Sequence, residues 1–354
     1  AGLAPKLPTS GSAERALTGI TAAMTQSLGK FSTDTTALPD LAAKIASGAT
    51  AGLGPVVQAF NLSSTAQADL VAATTAGPTQ ALPTLASKIP AMASSQNISA
   101  MLEKITAGPV AGFAKAGFSA AQVPDLISST AYGASANLAG LKSISGLTQD
   151  SAIGMMSNIT KSANASIGAV NVPSFTPSSS LVQTITSKVS SKSVGALNRI
   201  SAVDPTFDDT KAKAAMKAVS SGALDALFDW AQAHNVNATD REAMMKKASA
   251  GVLDGMKQLN APWASQITPS AISGDIEIAN KSALESRGMD PTTAANLAGS
   301  IKSETDSVAG SVTIQQYDAP KMQAECTNHG GTWDAALKVC AMSSFSTSYQ
   351  APKI

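Results

Sequence analysis

The chain has 354 residues and carries 25 Lys and Arg against 24 Asp and Glu, a formal net charge of +1. Charged residues make up only 14% and aromatic residues 4%, against about 25% charged in an ordinary soluble domain. That balance argues against a basic nucleic-acid-binding protein, a highly charged disordered tail and a multi-span membrane protein, and it identifies no activity.

In chain order, Ala1 comes first. This fits either loss of an initiator Met or cleavage of a secretory signal peptide. Residues 46–68 carry no charge but include Gly52, Gly54, Pro55, Gln58 and Asn61. A membrane span needs about 20 mainly apolar residues, so none is expected.

From residue 41 onward one spacing recurs. A large apolar residue is followed seven positions later by a small one and five later by another apolar one. It reads Leu41/Gly48/Leu53, Leu70/Gly77/Leu82, Met101/Gly108/Phe113, Leu126/Gly133/Leu138 and Met155/Ser162/Ile167. Asp40-Leu41, Asp69-Leu70 and Asp125-Leu126 open three of the copies. Ser63, Ser119 and Thr148 each follow an apolar residue and are positioned to cap a helix, with Gln122 completing a capping box after Ser119. A period of about 29 residues predicts stacked supersecondary units that bury their apolar side only against neighbours. The central small residue has two readings. It ends a helix in a left-handed cap, or it sits inside one helix where a neighbour comes close. Gly77-Pro78 and Gly108-Pro109 favour the first, so each unit is expected to be a short helical hairpin.

Residues 171–203, Ser-rich with Pro173 and Pro177, read as a linker or long loop with a short helix at 181–200. Beyond Asp204 charge density rises. A helix is expected from Asp208 to about His234, and a capping box at Thr239–Glu242 opens another through Leu259. Ala215/Gly222/Leu227 and Met244/Gly251/Met256 repeat the seven-then-five spacing, so this half reads as a diverged continuation of the first. Asp290-Pro291 starts a further helix to about Asp306, and 313–317 is expected as a short strand.

Both cysteines, Cys326 and Cys340, lie near the C-terminus around Gly330-Gly331 and Trp333. The glycines suit a tight turn. A disulfide closing the loop would remove about 3 kcal/mol of unfolded-chain entropy. The segment resembles Cys–Gly-Gly–Trp–Cys loops near the ends of secreted bacterial proteins, over these 15 residues only. A disulfide in an exported protein is favoured over two free thiols in a cytosolic one.

Chemistry-bearing motifs are sparse. There is no Gly-x-Ser-x-Gly elbow and no phosphate-cradling Gly-x-x-x-x-Gly-Lys-Ser/Thr loop. His234 falls at an expected helix end, where a cation or cap is favourable. His329 lies in the Cys loop, where two Cys and one His match no closed zinc site. Asp225 and Asp229 share a helix face four residues apart. They would make an acid/base pair or a cation site, or more simply a solvated face. Lysines lack aromatic interleaving, so no nucleic-acid partner is expected.

These readings give a mainly α fold, an array of short helical hairpins resembling a solenoid, with a small disulfide-closed region at the C-terminus. The expected organisation is a helical repeat region at 1–170, a linker or long loop at 171–203, a second helical region at 204–310 and an irregular segment at 311–354. Gly48, Gly77, Gly108, Gly133 and Ser162 are the expected helix-packing positions. No cofactor, metal or catalytic residue is assigned. The expected role is a non-enzymatic subunit of an extracellular or cell-envelope assembly, periplasmic or outside the cell. It would be built by self-association or with other envelope proteins. A monomeric binding scaffold for a peptide, glycan or envelope partner, and a secreted hydrolase using the Asp204–Asp229 region, are the alternatives.

Overall fold

The computed structural model describes residues 10–315, 317–320, 323–324, 331–335 and 339–342. It is mainly helical. Several helices begin where a side-chain oxygen accepts from an otherwise unpaired backbone N–H. Ser63 accepts from Ala66 N at the start of α4 (Ser64–Lys88), and Ser94 from Asn97 N before α5 (Ser95–Ala107). Thr148 caps α7 (Gln149–Ala165) and Ser178 caps α8 (Ser179–Gly195). Asp208 caps α10 (Asp209–Ala233), and Asp290 caps α13 (Pro291–Ala309) through Thr292 N and Thr293 N. Before α6 (Val123–Ser135), Ser119 and Gln122 form the expected capping box, with Ser119 N donating to Gln122 Oε1 at 2.8 Å. The cap of α11 (Ala238–Met256) differs from expectation. Asn237 accepts from Asp240 N at 2.8 Å, so the helix starts before Thr239. Asn caps as well as Thr does, and the earlier start puts Asp240 in the first turn, where the helix dipole favours it.

The remaining helices are α1 (Ser10–Phe31), α2 (Leu38–Ala51), α3 (Leu53–Phe60), α9 (Leu197–Val203) and α12 (Pro269–Ser286). The long ones fall into two rows. In the first, α1 packs on α4, α4 on α6, α6 on α8, α8 on α11 and α11 on α13. In the second, α2 packs on α5, α5 on α7, α7 on α10 and α10 on α12. The chain alternates between rows, so the long helices up to α11 pack hardest on a helix next but one in sequence, while α12 and α13 pack hardest on each other. One continuous apolar core runs along both rows, from Leu38 near one end to Ile301 near the other.

The expected hairpins, each turning at its central small residue, are not what forms. Gly77 and Pro78 lie inside α4, and Gly133, Gly222 and Gly251 lie inside α6, α10 and α11. Only at Gly108 does the α-helix stop, and it continues as a 3-10 turn over Gly108–Gly112 in right-handed geometry (Gly108 φ −51°), not in a left-handed cap. The reason is steric demand from outside the helix. A proline in a helix interior costs about 3 kcal/mol, and the backbone contact that Gly77 makes with α1 offsets it.

The linker expected at 171–203 is also corrected. Only the stretch up to Ser178 is loop. From Ser179 the chain forms α8 and α9, with Val182, Ile185, Val189 and Val194 fully buried in the first row. Hydroxyls make this possible, because Thr186 Oγ1 donates back to Val182 O at 2.6 Å and so needs no water. Thr313–Gln315, expected in a strand, have no regular structure. The strands instead are β1 (Gly331–Asp334) and β2 (Val339–Met342), an antiparallel pair with Trp333 opposite Cys340. β2 runs beside α9. Cys326 and the side chain of Cys340 lie outside the described residues, as does the expected disulfide between them.

Candidate functional site

The predicted carboxylate pair comes together on α10, but around a cation. Arg287, just past the end of α12, reaches Asp225 Oδ1 with Nε at 3.1 Å and pairs with both carboxylate oxygens of Asp229 through its terminal nitrogens. Lys161 stands 3.8 Å from Asp225 Oδ2. The hydrogen bond to Asp229 raises the Arg287 pKa, partial burial opposes it, and Asp225 raises it further. The guanidinium groups of Arg287 and Arg241 both lie over the Phe228 ring, at 5.8 and 5.5 Å from its centroid. A planar fork that fills both carboxylates ties α12 to α10. It leaves neither acid placed for proton transfer.

Asp204, at the end of α9, is fully buried. Its Oδ1 accepts from Thr206 N and Thr206 Oγ1 at 3.0 and 2.8 Å and pairs with Lys142 Nζ at 2.9 Å; Oδ2 accepts from Gln149 Nε2 at 2.5 Å. Burial acts to raise its pKa, but the donors Lys142 and Thr206 outweigh it and hold the carboxyl below the usual value. Beside it a cavity of about 260 Å³ is lined by Ser201, Asp204, Phe207, Asp208, Trp263 and Gln266, among others. Trp263 Nε1 donates to Ser201 Oγ at 2.9 Å, and its ring meets Phe207 edge-on.

His234 is the residue after α10. Its ring stacks on Trp230 at 4.3 Å, with Nδ1 2.8 Å from the Trp230 carbonyl, so it acts at the helix end as its position suggests. His329 lies outside the described residues. Elsewhere, burial raises the pKa of Tyr132 and lowers that of Arg199, and both groups feel Glu14 of α1. Among the described residues no group of three or more His, Cys, Asp or Glu converges as a metal site, and no helix is long and apolar enough to cross a membrane.

The small residues are where the rows touch. A Cβ on Gly77 would strike the Thr18 carbonyl and the Thr21 hydroxyl of α1, and one on Gly133 would strike the Ala72 carbonyl of α4. On Gly108 it would lie 2.6 Å from the Ala43 carbonyl of α2. Ser162 Oγ donates to the Glu103 carbonyl of α5 at 2.5 Å. Gly222 meets the Ser157 carbonyl of α7, and Gly251 the Ser187 carbonyl of α8, in the same way. Each small residue thus receives the backbone of the preceding helix in its own row. Gly48 is the exception: a Cβ there would meet nothing within 4 Å. It lies on α2, the first helix of its row.

A second pattern escaped the sequence reading. A buried hydroxyl precedes the small residue by two positions at Thr75, Thr106, Thr160, Ser220 and Ser249. These and neighbouring hydroxyls bond across the structure. Thr50 reaches Thr74 at 3.1 Å, and Ser273 reaches Thr305 at 2.6 Å. Asn280 accepts from Ser220 Oγ at 2.8 Å and donates to Ser249 Oγ at 3.1 Å. The signal was present as Thr-Ala-Gly and Ser-x-Gly triplets, hidden by the general abundance of Ser, Thr and Ala. Compared with protein-family models and with curated proteins, the chain matches none.

Proposed function

We propose that this protein is a non-enzymatic structural subunit of an extracellular or cell-envelope assembly, held together by self-association of its Ala-, Gly- and Ser-rich helices. The fold behind that reading is a run of single-helix units, about 29 residues apart and alternating between two rows. The observation that carries it is the backbone contact at Gly77, Gly108, Gly133, Ser162, Gly222 and Gly251. A chain whose own rows are built by helices touching at small residues has surfaces suited to the same contact with another chain. The low charge also favours association. Much of that charge is used internally: Lys104 pairs with Asp40, Lys188 with Asp125 and Lys247 with Glu304.

A monomeric scaffold that binds a peptide or glycan is the second reading. It draws on the cavity beside Asp204, where Phe207 and Trp263 stand next to polar groups. A hydrolase has less support, because Arg287 occupies Asp225 and Asp229. Sedimentation of the purified chain over a wide concentration range, with negative-stain microscopy, tests the first reading. Mass that rises with concentration and ordered assemblies are expected. A monomer that persists at high concentration counts against it and in favour of the scaffold.

A further inference from the structure

We propose that copies of this chain stack head to tail, the α1–α2 end of one copy receiving the α12–α13 end of the next. This rests on the structural-subunit reading and specifies its interface. Within the chain, every long helix from α4 to α7, and also α10 and α11, presents a small residue to the backbone of the preceding helix in its row. Among the described residues the first helices of the two rows have no preceding helix. Gly48 of α2 and Gly19 of α1, 29 positions before it, would each carry a Cβ that meets nothing within 4 Å. Gly19 keeps only part of the spacing, since Ser12 stands seven before it. Where a helix carries both, the crossing carbonyl lies five residues before the small residue, so Thr18, which meets Gly77, puts the equivalent position of α1 at Ala23, with the buried Thr21 two before it and the buried Leu28 five after. The end therefore carries the receiving position of the internal interface twice, at the exposed Ala23 and at Gly48, and among the described residues no helix fills either.

The same end carries exposed apolar bulk. Ile20, Met24 and Phe31 of α1 are 58, 49 and 82% exposed. With Gly19 and Ala23 they form one stripe on the side away from α4, since Thr18, Thr21, Ala22 and Thr25 are buried on the opposite side. At the far end Ile278 of α12 is 68% exposed. It lies one turn from Gly274, and Gly299 lies on α13; both glycines would carry a Cβ that meets nothing within 4 Å. Charge is complementary too. Among the described residues Arg15, Lys30, Lys44 and Asp34 at the head, a net positive set, and Glu277 and Asp290 at the tail make no ion pair.

The alternation of rows fixes the pairing. Among the described helices the first row holds α1, α4, α6, α8, α11 and α13, and the second holds α2, α5, α7, α10 and α12. The chain finishes in the row where it starts. An incoming copy that continues the alternation must therefore enter the shorter row first. Its α1 lands on α12, and its α2 lands on α13. This sets the apolar stripe of Ile20 and Met24 against Ile278, and Gly48 against the small, polar face of Asn296, Gly299 and Ser303. Each junction exchanges the two rows.

The experiment uses the full chain and two variants, a head variant (Ile20→Lys with Met24→Lys) and a tail variant (Ile278→Lys). All three sites are exposed, so melting temperatures close to wild type are expected. If the head variant fails to fold, Ala23→Leu replaces it, which fills the receiving position without adding charge. In sedimentation the wild type should form a ladder of sizes, and each variant alone should stay at the mass of one chain. An equimolar mixture of the two should give dimers and nothing longer, because one good head and one good tail remain between them. A wild type that stays monomeric overturns both this proposal and the structural-subunit reading. A wild type that assembles while neither variant interferes overturns the proposal alone. So does one blocked by the head variant but not by the tail variant, since that marks a symmetric head-to-head contact.

Discussion

At Gly133 a single added methyl group would land on the Ala72 carbonyl of α4, and at Gly222 on the Ser157 carbonyl of α7. Backbone cannot give way as a flexible side chain can, so the helices would have to part. Gly133→Ala and Gly222→Ala are each expected to lower the unfolding free energy by about 2–3 kcal/mol, the usual cost of overpacking. Gly48→Ala should do the opposite. Its site is open, and replacing a helical glycine by alanine is worth roughly 0.5–1 kcal/mol. Urea unfolding of the three variants separates the two cases, and a similar change at all three positions would show that the crossings do not depend on the missing side chain. The sequence singles out Gly48, Gly77, Gly108 and Gly133 by one spacing and has no means of separating them. What separates them is whether a helix precedes them in the row, a fact about neighbours 55 to 65 residues away.

A helix of this chain is held as much by hydroxyls as by hydrocarbon. Asn280 of α12 is fully buried and bridges Ser220 of α10 and Ser249 of α11, so it joins helices from both rows. Removing it leaves the two buried hydroxyls only each other, at 3.3 Å, with their remaining bonding capacity unmet, which costs more than the hydrogen bonds themselves contribute. Asn280→Ala is expected to destabilise by about 2–3 kcal/mol. In a background already carrying Ser220→Ala and Ser249→Ala the same change should cost at least about 1 kcal/mol less, since no hydroxyl then loses a hydrogen bond. A thermodynamic cycle from chemical denaturation measures the difference, and strict additivity would show that the three groups do not act together. Such a network explains where reading the sequence succeeds and where it stops. Caps are local, so Ser63, Ser119, Thr148 and Asp290 announce their helices within four residues. α8 is different: its serines resemble a linker until one sees that hydroxyls line a buried seam and that Val182, Ile185 and Val189 carry the apolar face. The interior of α4 holds Pro78 and Pro83, which locally argue for a break. The contact that overrides them is made with α1, about two units away.

The whole molecule is a chain of near-neighbour contacts, with each long helix touching its flanking helices and the next but one in sequence. No substantial contact between long helices ties the α1 end to the α13 end across the described residues. Stability in such an arrangement is close to a sum of units and their interfaces, and units at the ends have neighbours on one side only. Local opening should therefore be graded along the chain. Hydrogen exchange followed by mass spectrometry is expected to find the slowest amides in α6, α7 and α8, which have packed helices before and after them. α1, α2 and α13 should exchange sooner, although α1 with 22 residues and α13 with 19 are longer than α6 with 13. Helix length alone predicts the reverse order, because longer helices fray over a smaller share of their residues. Stacking of copies would change the pattern in a defined way. At concentrations where the chain assembles, protection should rise in α1, α2, α12 and α13 and stay constant in α6 to α8. Uniform exchange from end to end would mean that the two rows open as a single cooperative body, and that the end helices owe their order to something other than their neighbours.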